Sequence, residues 1–390
     1  MQCYHRLVAL GRTALKMLQQ RKAAAQRMPA GHRGVLRRPF GIVVVVGILA
    51  CVLGAHDVPA AAEARPAGAP PAIALDPAAD AVAHLPRAHS LLVSWRGELV
   101  LERYFNGMRA ARLANIKSAS KSVISALVGV AVDRGLIAGV RQPISAFFPD
   151  LLGNSADARK RAITIEDLLT MRSGLETTSN RNYGAWVQSQ NWVRHVLNRP
   201  LLNPPGATME YSTGSTHLLS AILTKATGKS TWQFAQETIA KPLGFQLAQW
   251  SRDPQGVYFG GNDMLMTPRQ MLAFGELYLR NGRRNGQPVV SERWVADSQI
   301  PRTQSRRESD RFYGYGWWIR ELASHPAFYA WGYGGQFIFI VPDLDLVVVT
   351  TSSSTADQDR RDHRLTVYDI VERLIIAPVA SAAARSSAAN

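Results

Sequence analysis

The chain has 390 residues and a net charge of +16, from 45 Lys and Arg against 29 Asp and Glu, and 46% of its residues are hydrophobic. That length accommodates two or three domains or one large two-lobed unit, and 30 Gly with 21 Pro exclude a collagen-like or wholly disordered chain. The two cysteines, Cys3 and Cys51, both precede the body, which leaves it without an internal disulfide, a thiolate zinc site or a cysteine nucleophile.

Residues 1–64 hold seven of the sixteen excess positive charges, with an apolar run from Phe40 to Ala55. A basic region, an apolar core and the small residues from Pro59 to Ala64 form the pattern of an export signal. The run is short beside the roughly 20 residues of a membrane span. The pattern also fits an uncleaved anchor in the inner membrane, and Ile48-Leu49-Ala50-Cys51 has the form of a lipid-attachment box. Met28 offers a second start for translation. The expectation is an exported protein, periplasmic or secreted, with membrane attachment through the leader as the alternative. Past the leader the basic residues are scattered, with no Lys/Arg stripe interleaved with aromatics, so no nucleic-acid partner is expected. A basic surface suits an anionic cell envelope.

Residues 65–84 are Ala/Pro-rich and read as a linker. Leu91–Trp95 and Leu99–Leu101, parted by Arg96-Gly97-Glu98, read as a hairpin. Ser118 to Val132 is apolar on nearly every side, which marks a helix buried in the middle of a fold. From about 143 to 250 the chain is rich in helices and loops. There Thr164-Ile165-Glu166-Asp167 has capping-box spacing, with Glu166 read as part of the cap, and Gly228 reads as a helix stop. Tyr183, Trp186 and Trp192 read as core aromatics rather than as a cleft wall. Two helices are expected over 262–295, joined through Asn281-Gly282. Strands are expected at Tyr315–Ile319, Phe328–Trp331, Phe337–Val341 and Leu346–Thr350, then a closing amphipathic helix from Val367 to Ile376 and a disordered tail over 378–390. Strands at both ends with helices between them predict one sheet completed by the two chain ends, with a helical lobe inserted over the body 85–377.

Several catalytic templates fail on inspection. No G-x-S-x-G is present, and Gly228-Lys229-Ser230 lacks the earlier glycine of a phosphate loop, since Leu223 stands there. The nine histidines form no i, i+4 pair, so no metal and no other cofactor is expected. What remains is Ser118-Ala119-Ser120-Lys121 at the start of the buried helix. Spacing i, i+3 puts the hydroxyl and the amine on one helical face. A serine is a poor nucleophile until a neighbour takes its proton, and a desolvated lysine loses basicity and can do so. The plainer reading has Ser118 capping the helix and Lys121 in solvent. Tyr211-Ser212-Thr213 could set a phenol beside the lysine as a proton relay, or be structural. Gly332-Tyr333-Gly334-Gly335-Gln336 lies immediately before a strand, where a free backbone N–H can complete an oxyanion hole. A tight bend would also explain its glycines.

Taken in order, these pieces resemble the serine β-lactamase and penicillin-binding-protein superfamily, in its class C-like branch of esterases, D-alanyl peptidases and amide hydrolases. The likeness extends through Gln142-Pro143-Ile144, Ile163–Thr170, Ser173-Gly174-Leu175, Pro205-Gly206, Met266-Thr267-Pro268 and Tyr313–Trp318. The resemblance implies an α+β fold, an antiparallel sheet flanked by helices, with the site between it and an all-helical lobe. It implies Ser118 as the acylated nucleophile, Lys121 as general base and Tyr211 as proton relay. It also implies an oxyanion hole from the backbone N–H groups of Ser118 and Gln336, with Tyr333, Gly334, Gly335 and Thr213 on the substrate side. Two departures stand out. Thr213 replaces the usual Asn of the tyrosine motif, and Tyr333 replaces the cationic or histidine residue that faces a β-lactam carboxylate. The branch with Gly-Tyr-Gly-Gly-Gln resembles the aminohexanoate-oligomer hydrolases. The expected activity is hydrolysis of a small-molecule carboxylic ester or linear amide through an acyl-enzyme. A D-alanyl peptidase or weak β-lactamase is the alternative, and a non-catalytic envelope binding protein on the same fold is the second.

Overall fold

The computed structural model describes residues 73–153, 155–356 and 359–388. The expected leader lies outside the described residues. Among the described residues no helix is long and apolar enough to cross a membrane.

An eight-stranded sheet forms the frame. Its strands are β1 (Ala88–Trp95), β2 (Glu98–Tyr104), β3 (Thr303–Gln304), β4 (Phe312–Tyr313), β5 (Trp318–Leu322), β6 (His325–Gly332), β7 (Gln336–Val341) and β8 (Leu346–Ser352). Their order is β2-β1-β8-β7-β6-β5-β4-β3, and every pairing is antiparallel. The first strand is therefore clasped by the last, with Leu92 opposite Val349 and Trp95 opposite Leu346. Alternation along β7 and β8 explains why the sheet is covered twice. Ile338, Ile340, Val347 and Val349 enter one apolar core, and Phe337, Phe339, Val341, Leu346 and Val348 enter another on the opposite face.

Helices fill both faces. The second core takes its cover from α1 (Asp76–Ala83), α6 (Arg360–Ile370) and α7 (Ala377–Ala388), the last two joined by a π-helical turn over Val371–Ile376. The first core receives α2 (Ser120–Asp133), α3 (Ile165–Leu169), α4 (Thr213–Thr227) and α5 (Pro268–Leu279), which all lie between β2 and β3 in sequence. This is the antiparallel sheet with an inserted helical region that the sequence predicts.

Several boundaries differ from the sequence reading. Residues 76–83 of the expected linker form α1, because Pro77 starts the helix and Ala78, Ala79 and Val82 are buried. The expected disordered tail is helical to Ala388, held by buried Val379 and Ala382. The strand expected at Tyr315–Ile319 begins only at Trp318, since Gly316 turns the chain with φ +79°. Glu166 does not cap α3. Thr164 and Asp167 close the capping box, while Glu166 accepts from the Tyr315 hydroxyl at 2.7 Å and pairs with Arg302 at 3.3 Å. Gly228 ends α4 in the left-handed conformation, as its sequence position suggests.

Candidate active site

The chain enters α2 through a short 3₁₀ turn, Lys117–Ala119, so Ser118 precedes the helix proper. The N-cap position belongs to Ala119 and no side chain caps the helix, which removes the plainer reading of Ser118 as a cap. Lys117 has φ +50°, an unusual conformation for a residue with a β-carbon. Two neighbours hold it there. Its N–H donates to Asn115 Oδ1 at 3.0 Å, and its ammonium lies 3.0 Å from Asp263 Oδ1, which also accepts from Asn115 Nδ2 at 2.8 Å.

One turn on, Lys121 points back at Ser118. Its side chain is 2% exposed, and Nζ lies 3.1 Å from Ser118 Oγ, 2.6 Å from the Gly261 carbonyl oxygen and 3.4 Å from Thr213 Oγ1. No carboxylate is among these partners, so burial alone acts on the amine and lowers its pKa to about 7. A neutral amine has two N–H donors and one lone pair. Gly261 and Thr213 accept the two hydrogens, which leaves the lone pair for the Ser118 hydroxyl.

Tyr211 arrives on the loop before α4. Its ring centroid is 5.1 Å from Lys121 Nζ, and it is stacked on Trp318 at 5.7 Å with the edge of Tyr313 at 6.3 Å. Burial raises the phenol to about 12, against the opposing effect of Ser118. Lysine and tyrosine are thus driven in opposite directions, one able to accept a proton near neutrality and the other fixed as a donor.

The third segment closes the site from the sheet. Gly332 and Gln336 face each other at the end of the β6–β7 ladder. A β-carbon on Gly332 would stand 2.1 Å from the Ile116 carbonyl oxygen, so only glycine lets the sheet reach the turn that carries Ser118. The Gln336 side chain does not face a cleft. It is fully buried, donates to the Ser352 carbonyl at 2.6 Å and accepts the Ser352 N–H at 3.2 Å. Gly334 and Gly335 both have positive φ. Tyr333 is 39% exposed, with the Arg360 guanidinium 5.7 Å from its ring centroid. Thr213 is 5% exposed and turned towards Lys121 and Ser179, whose Oγ lies 2.9 Å away, rather than towards open space.

The structure therefore brings Ser118, Lys121, Tyr211, Thr213 and the 332–336 segment together. Sequence reasoning missed Gly261, Asp263, Asn115 and Ser179. Gly261 acts through a carbonyl that any residue type carries, and the visible signal was the Gly260-Gly261-Asn262-Asp263 cluster. Trp186 and Trp192 are core residues, as expected, while the half-buried Tyr183 accepts from Asn262 Nδ2 at 2.8 Å. Among the described residues no group of three His, Cys, Asp or Glu could hold a metal ion.

Comparison with known proteins gives a consistent result. A model of the Beta-lactamase family matches residues 79–372. The chain is similar in structure to EstCE1, a hydrolase with promiscuous acyltransferase activity, with a TM-score of 0.64 and 17% identity over 76% of this chain and 98% of that one. A class C beta lactamase from Rhodobacter sphaeroides matches with a TM-score of 0.58 and 19% identity, over 75% and 98% of the two chains. A protein described as a 6-aminohexanoate-dimer hydrolase, from Bacillus anthracis, matches with a TM-score of 0.61 and 21% identity, over 73% and 79%. At these identities the shared feature is the fold.

Proposed function

The chain belongs to the beta-lactamase family of serine hydrolases, and we propose that it hydrolyses a carboxylic ester or a linear amide through an acyl-enzyme on Ser118. The observation that carries this reading is Lys121, buried without a carboxylate partner and 3.1 Å from the Ser118 hydroxyl. Ser118 Oγ attacks the substrate carbonyl as its proton passes to the Lys121 amine. The developing oxyanion is met by the backbone N–H groups of Ser118 and Gln336. The Tyr211 phenol then protonates the departing alcohol or amine and regains its proton from the Lys121 ammonium. Water enters by the same route in reverse and releases the acid.

Tyr333 supports an ester or amide in preference to a β-lactam, because a phenol offers no charge to a substrate carboxylate. Arg360 favours a second reading. Its guanidinium lies 5.7 Å from the centroid of the same ring, so a positive charge accompanies Tyr333, a setting closer to that of a D-alanyl peptidase or a cephalosporin hydrolase.

The test compares the protein with its Ser118→Ala counterpart on a short-chain nitrophenyl ester and a chromogenic cephalosporin in one buffer. Fast ester turnover that disappears with Ser118, and little cephalosporin cleavage, is the expected outcome. Cephalosporin cleavage as fast as the ester would favour the second reading. A chain that cleaves neither and takes no serine-directed fluorophosphonate label would be a binding protein on this fold.

A further inference from the structure

Two fully buried ionisable side chains take no part in the steps above. His217, on α4, and Asp253, in the loop before Tyr258, are both 0% exposed, and His217 Nε2 lies 3.0 Å from Asp253 Oδ2. The imidazole is packed among Trp186, Trp192 and Phe259, with ring centroids 5.8, 5.3 and 5.9 Å away. Asp253 Oδ1 is saturated by the N–H groups of Gln255 and Val257, each at 2.9 Å. Polar groups in such a box cost free energy that an apolar pair of the same volume would not. Their partners show what they hold.

The other imidazole nitrogen, Nδ1, faces the Gly260 N–H at 3.4 Å. A backbone N–H can only donate, so Nδ1 is the acceptor and the ring proton sits on Nε2, towards the carboxylate. Gly260 lies directly on α4, where a β-carbon would stand 2.3 Å from the Thr216 carbonyl oxygen and 2.8 Å from His217 Cα. One peptide unit beyond Gly260's own carbonyl is that of Gly261, the acceptor 2.6 Å from Lys121 Nζ. A continuous path thus runs from Asp253 through His217 and the Gly260–Gly261 backbone to the amine beside Ser118.

We propose that His217 and Asp253 are positioning residues for the hydrolytic step, which fix the Gly261 carbonyl and through it the direction of the Lys121 lone pair. The proposal rests on Lys121 acting as the base. Neither residue is exposed to a cleft, so substrate binding is outside their reach.

Asp253→Asn tests it with almost no change of shape. If the amide oxygen keeps the Gln255 and Val257 N–H groups, its NH₂ faces His217 Nε2, which must then accept. The ring proton moves to Nδ1 and meets the Gly260 N–H donor to donor. The expected result is a fall in kcat of roughly 10- to 100-fold, since misplacing a reacting group by about 1 Å costs up to about 10²-fold, with KM within about twofold. The acid limb of the pH profile should also move to lower pH. A carbonyl acceptor favours the ammonium over the amine, so displacing it makes Lys121 easier to deprotonate. Tyr211, the titratable side chain packed against Lys121, stays protonated across this range.

A merely structural defect that admitted water would move the limb the other way, since relief of burial raises a lysine. His217→Phe, which suits the aromatic box, should lose kcat similarly, and adding Asp253→Asn to it should cost nothing more. Wild-type kcat and acid limb in Asp253→Asn, a limb displaced upward, or additive losses in the double variant would each overturn the proposal. Labelling of wild-type Ser118 by a fluorophosphonate separates this failure from that of the underlying reading. Without labelling both fall, and with labelling but an unaffected Asp253→Asn only the positioning role falls.

Discussion

In the proposed mechanism Lys121 serves function at the expense of stability. Its amine is lowered to about 7 by burial, so activity should rise with pH through about 7 as the base becomes free. The phenol, raised to about 12, predicts no alkaline fall below about pH 10. A pH profile of kcat/KM on the nitrophenyl ester checks both limbs. The same shift bears on folding. Between about pH 7 and the ordinary lysine range the unfolded chain binds a proton that the folded chain does not, so this group's contribution to stability grows as pH rises. At and below pH 7 its burden is complete, on the order of 5 kcal/mol. Lys121→Met should therefore abolish turnover yet unfold at higher denaturant, with the difference from wild type widest near pH 6 and narrowing towards pH 10. The Ser118–Lys121 relation was legible in the sequence because spacing of i, i+3 on a helix is local information. Its orienting acceptor was not, because the Gly261 carbonyl lies 140 positions further on.

At the scale of elements, the turn Lys117–Ala119 does most to aim Ser118, and nothing in the sequence announced it. A lysine at φ +50° is an uncommon conformation that persists only where its surroundings impose it. Asn115 and Asp263 impose it here, the first on the short strand Ala114–Asn115 and the second in the loop just before its partner strand, Leu265–Met266. Asp263→Asn keeps a residue that tolerates the local backbone, φ +59°, and removes the charge that holds Lys117. The expected result is a loss of roughly 10-fold in kcat with a small change in Tm, measured side by side on the same preparations. A large Tm loss with unchanged kcat would mean that the turn is held by other contacts. Capping illustrates the complementary lesson. Thr164 marked the start of α3 correctly, but the spacing Thr-Ile-Glu-Asp offers two adjacent acids, and only the fold decides that Asp167 closes the box while Glu166 serves Tyr315 and Arg302.

For the whole molecule, hydrophobic alternation made six of the eight sheet strands readable, whereas the two-residue strands Thr303–Gln304 and Phe312–Tyr313 gave too short a pattern to see, and both ends of the body were misjudged as linker and tail. Ala-rich segments have little apolar weight of their own, and α1 and α7 earn their order by covering the second core through Ala78, Val82, Val379 and Ala382. Ending the chain after Ile376 should therefore lower Tm by several degrees, since burial of one valine-sized side chain alone is worth about 1.5–3 kcal/mol. Thermal unfolding of the shortened and complete proteins gives the comparison, and an unchanged Tm would return the segment to the status of a tail. The clasp of β1 by β8 has a consequence in time. The two strands are about 250 residues apart, so during synthesis at 5–20 residues per second the β1–β2 hairpin waits roughly 10–50 s for its partner. A lone hairpin is marginal in water. The nascent chain thus passes most of its synthesis with an apolar strand edge open, and the final strand closes it only near the end of the chain.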